Sequence, residues 1–143
     1  DEVIDATKEL QEKHTGALIV FAQSNNIKVT VDTGIPIQAV VSKELILSIF
    51  NTRSPLHDGA IIIDGSMIVA ARCILPLTTT SKYEGHNLGT RHRAALGLSE
   101  QVDSIILIVS EETGWISLAH EGKLDLNIKY ENLRDILSSL LSK

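Results

Sequence analysis

The feature that most constrains this chain is a set of short, almost wholly apolar runs set between turn signals and helical periods. Ala17–Ala22, Ala60–Ile63 and Ser104–Ser110 are the clearest of them. Runs this short without polar alternation read as strands covered on both faces. Covering a sheet on both faces takes helices, and the sequence supplies them. Asp1 to Lys13 places Val3, Ile4, Thr7 and Leu10 at helical spacing. Ser42 reads as the N-cap of a helix through Phe50, with Leu45, Ile46 and Ile49 on one face. A helix is predicted from about Thr90 to Glu100, and another over Tyr130–Leu141.

Turn chemistry orders the remainder. Asp64-Gly65-Ser66 joins Ala60–Ile63 to Met67–Ala71 as a hairpin, and Glu121-Gly122 joins Trp115–His120 to Lys123–Asn127 as a second. Ile27–Val31 alternates in the manner of a half-exposed strand, Asp32 to Pro36 reads as a turn, and Pro76 to Asn87 as a surface loop. The expectation is one α/β domain over residues 1–143, with a central mixed β-sheet of about six or seven strands flanked by three or four helices. At 143 residues with 43% hydrophobic and 22% charged content, a single folded domain is the natural reading. The net charge of −5 argues against nucleic acid and anionic membranes as partners, while leaving room for a local positive site. One cysteine, Cys73, permits no intrachain disulfide. No apolar run approaches the roughly 20 residues of a spanning helix. The chain opens without methionine in a charged, helical stretch, which reads as a fragment of a longer parent.

Three polar clusters sit at the ends of apolar strands. His57-Asp58-Gly59-Ala60 leads into the strand at Ala60. Asp58 offers a carboxylate, His57 a neutral imidazole, and Gly59 a place where a ligand can approach the backbone. Taken alone, the same residues also suit a turn. Gly89-Thr90-Arg91-His92-Arg93 opens a helix with a strongly basic first turn, which opposes the helix dipole. An anion placed there meets free N–H groups, the dipole and guanidinium forks together, although surface carboxylates pairing with Arg91 and Arg93 would relieve the same conflict. Ser110-Glu111-Glu112-Thr113-Gly114 follows the last buried-type strand, and its carboxylates suit either a divalent cation or a solvated turn. Cys73 and Trp115 read as packing residues, and His86 and His120 as solvent-facing. Jointly the clusters suit a nucleotide with a divalent metal.

The order of these motifs resembles the diadenylate cyclase family. Asp58-Gly59-Ala60 followed by Arg91-His92-Arg93 matches its paired signatures, and His14–Ile19, Gly34-Ile35-Pro36, Ser54–Ala60, Leu75-Pro76-Leu77, Leu88–Gly97 and Ser110–Gly114 match its flanking text. The likeness spans essentially the whole chain and is nearest the cytosolic catalytic domain of the membrane-anchored class. It implies condensation of two ATP into cyclic di-AMP with release of two pyrophosphates, by two protomers meeting face to face with one ATP each. By position, Asp58, Arg91, His92 and Arg93 are the implied catalytic residues. Gly59, Ala60, Leu75, Gly89, Thr90, Arg91, Arg93 and Ser110 are the implied ATP-binding residues. His57, Asp58 and Glu112 are the implied ligands of a divalent metal: Mn2+, Mg2+ or Co2+. Several relatives carry an aromatic residue just before Leu-Pro-Leu, where this chain has Ile74. The same resemblance implies a homodimer, a possible regulatory protein partner, and a soluble fragment of a parent held at the cytosolic face of the cell membrane. A non-catalytic module that senses ATP or cyclic di-AMP is the alternative.

Overall fold

The computed structural model describes residues 1–142 and is built on a seven-stranded sheet. The three apolar runs become β1 (Ala17–Ala22), β3 (Ala60–Asp64) and β7 (Ser104–Val109), which lie side by side in the order β3-β1-β7. β1 runs parallel to β3 and antiparallel to β7. Outward on one side lie β4 (Met67–Cys73) and the edge strand β2 (Ile35–Val40). On the other side lie β8 (Ile116–His120) and β9 (Lys123–Ile128), so the sheet is mixed, as expected.

Alternate side chains of the central strands feed two cores. Ile19, Ile61 and Leu107 point to one face, packed under α1 (Glu2–Glu12), α3 (Lys43–Phe50) and α5 (Tyr130–Leu141). Val20, Ile62 and Ile106 point to the other face, under Ala95, Leu96 and Leu98 of α4 (Thr90–Gln101). All six of those strand side chains are fully buried, and truncating any of the five isoleucine or leucine residues to alanine is expected to cost about 2–5 kcal/mol. Capping follows the sequence: Ser42 Oγ accepts from the Leu45 N–H at 3.1 Å, and the Asp1 carboxylate accepts from Val3 and Ile4.

Three local expectations are corrected. Ile27–Val31 is no strand: a 3-10 turn over Asn25–Ile27 runs into a single helical turn, α2 (Lys28–Val31). The turn buries Ile27 and Thr30 at helical spacing and leaves Val29 at 77% exposure. Ile35-Pro36 is not turn material but the start of β2, where an edge position tolerates a residue without an N–H. The Pro76 to Asn87 loop carries a two-residue ribbon, β5 (Lys82–Tyr83) with β6 (His86–Asn87).

The registers bring the three clusters together. Ala17 faces Val109, Val109 faces Ile116, and Ala60 faces Cys73. With β1 and β3 parallel, their starts lie beside the ends of β4 and β7. Gly16, Asp58-Gly59, Ile74-Leu75 and Ser110–Trp115 therefore share one end of the sheet.

Candidate active site

Gly59 sets the position of Asp58. Its φ is +87°, and a Cβ there would come within 2.7 Å of the Cys73 carbonyl and 2.9 Å of Arg72 C. Only glycine meets both demands without strain. The neighbouring strand bends to match: the β3–β4 register shifts between Ala60 and Ile62, and Arg72 takes φ +57°. Asp58 is thereby held at the mouth with its side chain 79% exposed. Beside it, His57 Nδ1 lies 2.7 Å from the Ser54 carbonyl, which fixes that nitrogen as the donor. His57 Nε2 lies 3.4 Å from Asp58 Oδ1. Two electron-pair donors so placed suit a shared cation.

The N-terminus of α4 forms the second part. Gly89 caps the helix without any side-chain bond to the first-turn N–H groups, and that turn carries no acidic residue. Arg91 reaches back over the start of β1, where its guanidinium occupies the space a Cβ on Gly16 would fill. Its Nη1 lies 3.4 Å from Glu111 Oε1, so a carboxylate does pair with Arg91. Burial, with the Arg91 charge beside it, lowers the pKa of His92, and Glu112 partly opposes this. The shift favours the neutral imidazole of His92, which carries one donor and one acceptor nitrogen.

Two cavities adjoin across Thr90, Arg91 and Glu111. The first, about 310 Å3, is walled by Gly89, Arg91, His92, Ser110, Glu112 and Trp115. The second, about 470 Å3, is more apolar, with Leu18, Leu75, Leu77 and Ala94 inside and Asp58 and Gly59 at its edge. Both volumes fall within the roughly 300–1,000 Å3 of small-molecule sites. An anion-binding helix start beside an apolar slot has the shape of a nucleotide site: phosphates at one end, base at the other.

Most predicted site residues meet here, with two differences. Among the described residues no three His, Cys, Asp or Glu side chains group closely enough for a metal. His57 and Asp58 lie together, while Glu112 lines the first cavity beside His92. Arg93 lines neither cavity; its Nη2 donates to the Thr78 carbonyl at 3.1 Å. Ser110 lines the first cavity, where its Oγ accepts from the Thr113 N–H at 3.3 Å and keeps its own O–H to donate. No sequence pattern relates Gly16 to Arg91, whose guanidinium it cradles. Trp115 and His86, read as packing and solvent-facing, wall the first cavity with ring centroids 5.4 Å apart.

A family model described as "DisA bacterial checkpoint controller nucleotide-binding" matches residues 4–124, which contain every residue discussed above from Gly16 to Trp115. The chain belongs to that family. Relatives of this nucleotide-binding family include a diadenylate cyclase of Listeria monocytogenes strain 10403S, 44% identical over 137 residues, covering 96% of this chain and 50% of the relative. The cyclic di-AMP synthase CdaA of Bacillus subtilis strain 168 is 41% identical over 143 residues, covering all of this chain and 52% of the relative. The chain thus spans about half the length of these curated relatives. A crystal structure of a DacA double mutant from Staphylococcus aureus superposes with a TM-score of 0.90 at 42% identity, covering 96% of this chain and 91% of that one. The fold and the family resemblance read from the motifs are both borne out.

Proposed function

We propose that this domain is a diadenylate cyclase: it binds one ATP per protomer, and two protomers condense two ATP into cyclic di-AMP with release of two pyrophosphates. The observation that carries this reading is the pair of adjoining cavities that share Thr90, Arg91 and Glu111, one suited to phosphate and one to a base, with Asp58 at the edge of the second. Relatives named for this activity support it.

The chemistry follows from where the groups sit. Each 3′-hydroxyl attacks the α-phosphorus of the other nucleotide; the new O–P bond forms as the bond to pyrophosphate breaks, and the hydroxyl proton leaves to base. One cavity pair holds one nucleotide and cannot supply both halves, so a facing protomer is required. Ile74 and Leu77, at 70% and 53% exposure beside the apolar cavity, are the apolar residues such a face would cover. Holding the two nucleotides in register can supply about 7–11 kcal/mol of barrier lowering.

Within a protomer, the N–H groups at the start of α4 and the Arg91 guanidinium bind phosphate, with Arg91 leaving Glu111 to do so. His92, neutral, adds one hydrogen bond at the same end. The Asp58 carboxylate, exposed at the mouth, orients the 3′-hydroxyl and accepts its proton. His57 Nε2 and Asp58 would hold a divalent cation of the Mn2+, Mg2+ or Co2+ type. That cation would neutralise charge building on the phosphates. The parent protein is placed by the same reading at the cytosolic face of a membrane. No helix among the described residues is long and apolar enough to cross one, so the anchor would lie in another segment.

The test is incubation with ATP and each of the three metals, with products resolved by mass spectrometry. Cyclic di-AMP and pyrophosphate in equal proportion to half and all of the ATP consumed, respectively, are expected. ATP bound but unchanged would support the sensor module instead.

A further inference from the structure

Arg91 and Arg93 stand two residues apart on α4, about 200° around its axis, so they project to nearly opposite sides. Arg91 faces the cavities, and Arg93 faces the segment that follows β4. There the Arg93 Nη2 donates to the Thr78 carbonyl at 3.1 Å, and the Thr78 N–H donates to the Arg93 carbonyl at 3.1 Å. Arg93 Nε is shut off from solvent and has no hydrogen-bond partner. Four and seven residues further along the helix, the same segment is gripped again. Pro76 O and Thr78 N sit so close to Gly97 that a Cβ there would overlap the Pro76 carbonyl. The Thr78 hydroxyl donates to Glu100 Oε2 at 3.0 Å, and Thr78 itself is 3% exposed.

This strap carries Leu75 and Leu77, the wall of the apolar cavity opposite Ala94. We propose that Arg93 is a positioning residue: it clamps the Leu75–Thr78 strap onto α4 and so sets the width of the base-binding cavity, without touching phosphate. The inference rests on the nucleotide reading above and sharpens it, by giving the two arginines of one motif opposite ends of the ligand. A half-buried charged donor on a carbonyl is a strong hydrogen bond, and its loss leaves that carbonyl unpaired.

Calorimetric titration with Mg2+-ATP and with Mg2+-tripolyphosphate, which has phosphates and no base, separates the two roles. Arg93→Ala is expected to weaken ATP binding about tenfold while tripolyphosphate stays within about twofold of the unaltered chain. Arg91→Ala is expected to weaken both probes by a similar factor. Equal loss of both probes in Arg93→Ala, or loss of neither, would overturn the clamp. If Arg93→Ala does not fold, Arg93→Gln serves, since it keeps a donor and discards the charge. The clamp predicts ATP affinity within about threefold there, whereas a phosphate contact predicts a loss of about tenfold or more. Amide hydrogen exchange needs no nucleotide. At Thr78 and Thr80 it should quicken about tenfold or more in Arg93→Ala, and unchanged exchange would overturn the clamp. If the unaltered chain binds neither probe, the nucleotide reading falls while the exchange measurement still decides the clamp.

Discussion

Asp58 has a fixed backbone and a free side chain, which is the combination a group at a shared reaction centre needs. Gly59 locks the peptide against Cys73, yet the carboxylate is mostly in solvent. Asp58→Asn keeps the shape and removes the base. Turnover should fall by about 10²–10⁴-fold while the ATP dissociation constant stays within about threefold, as read by product formation against calorimetry. Unreduced turnover would take Asp58 out of the mechanism. Cys73 lies at the same edge with the opposite character: burial raises its thiol pKa to about 11. Below that value the thiol keeps its proton and is a poor nucleophile. Iodoacetamide at pH 8 should therefore label Cys73 negligibly in the native chain and fully once it is unfolded, as mass spectrometry of the intact protein would show. Fast native labelling would contradict the assigned burial. Residue identities in this site were legible from sequence, because carboxylates, imidazoles and guanidinium groups announce their chemistry. Their directions were not. Arg91 and Arg93 read as one basic pair, and only the packing of α4 against the sheet decides which of them faces the ligand.

At the scale of elements, the doubly buried strands were the most legible part. β1, β3 and β7 have no polar face to disguise them, and both hairpin turns carry glycine where the chain reverses. The edge was harder. β2 begins on Ile35-Pro36 with exposed side chains, so it shows neither an apolar run nor clean alternation. Ile27–Val31 has five residues, too few to tell a period of two from one of 3.6, and the burial of Thr30 decided for the helix. Gly16 shows what no periodicity can reveal, since its importance is a side chain on another element. Its lack of a Cβ makes room for Arg91 on α4, and its backbone does not occupy the left-handed region. Gly16→Ala is therefore tolerated by the main chain and displaces the guanidinium. ATP affinity should drop about tenfold, close to the effect of Arg91→Ala, with little added loss in the double variant. Additive losses in the double variant would show that Gly16 acts through something other than Arg91.

For the whole molecule, topology does the assembling. A parallel β1–β3 pair flanked by antiparallel partners collects two strand starts and two strand ends at one edge of the sheet. The start of α4 is laid across them, and three clusters far apart in sequence become one mouth. That convergence could not be read from the sequence, which gave strands without their order. The net charge of −5 is compatible with a nucleotide site because positive charge is focused at the start of α4 rather than spread over the surface. In the proposed reaction one mouth would hold one nucleotide, while two are consumed. Its central claim is therefore tested most directly by the rate of cyclic di-AMP formation per protomer, measured with saturating ATP and metal over a wide range of protein concentration. The account predicts a per-protomer rate that rises with concentration and levels off as dimers fill. Absence of cyclic di-AMP at every concentration, or a per-protomer rate that is flat down to concentrations where sedimentation shows only monomer, would contradict it.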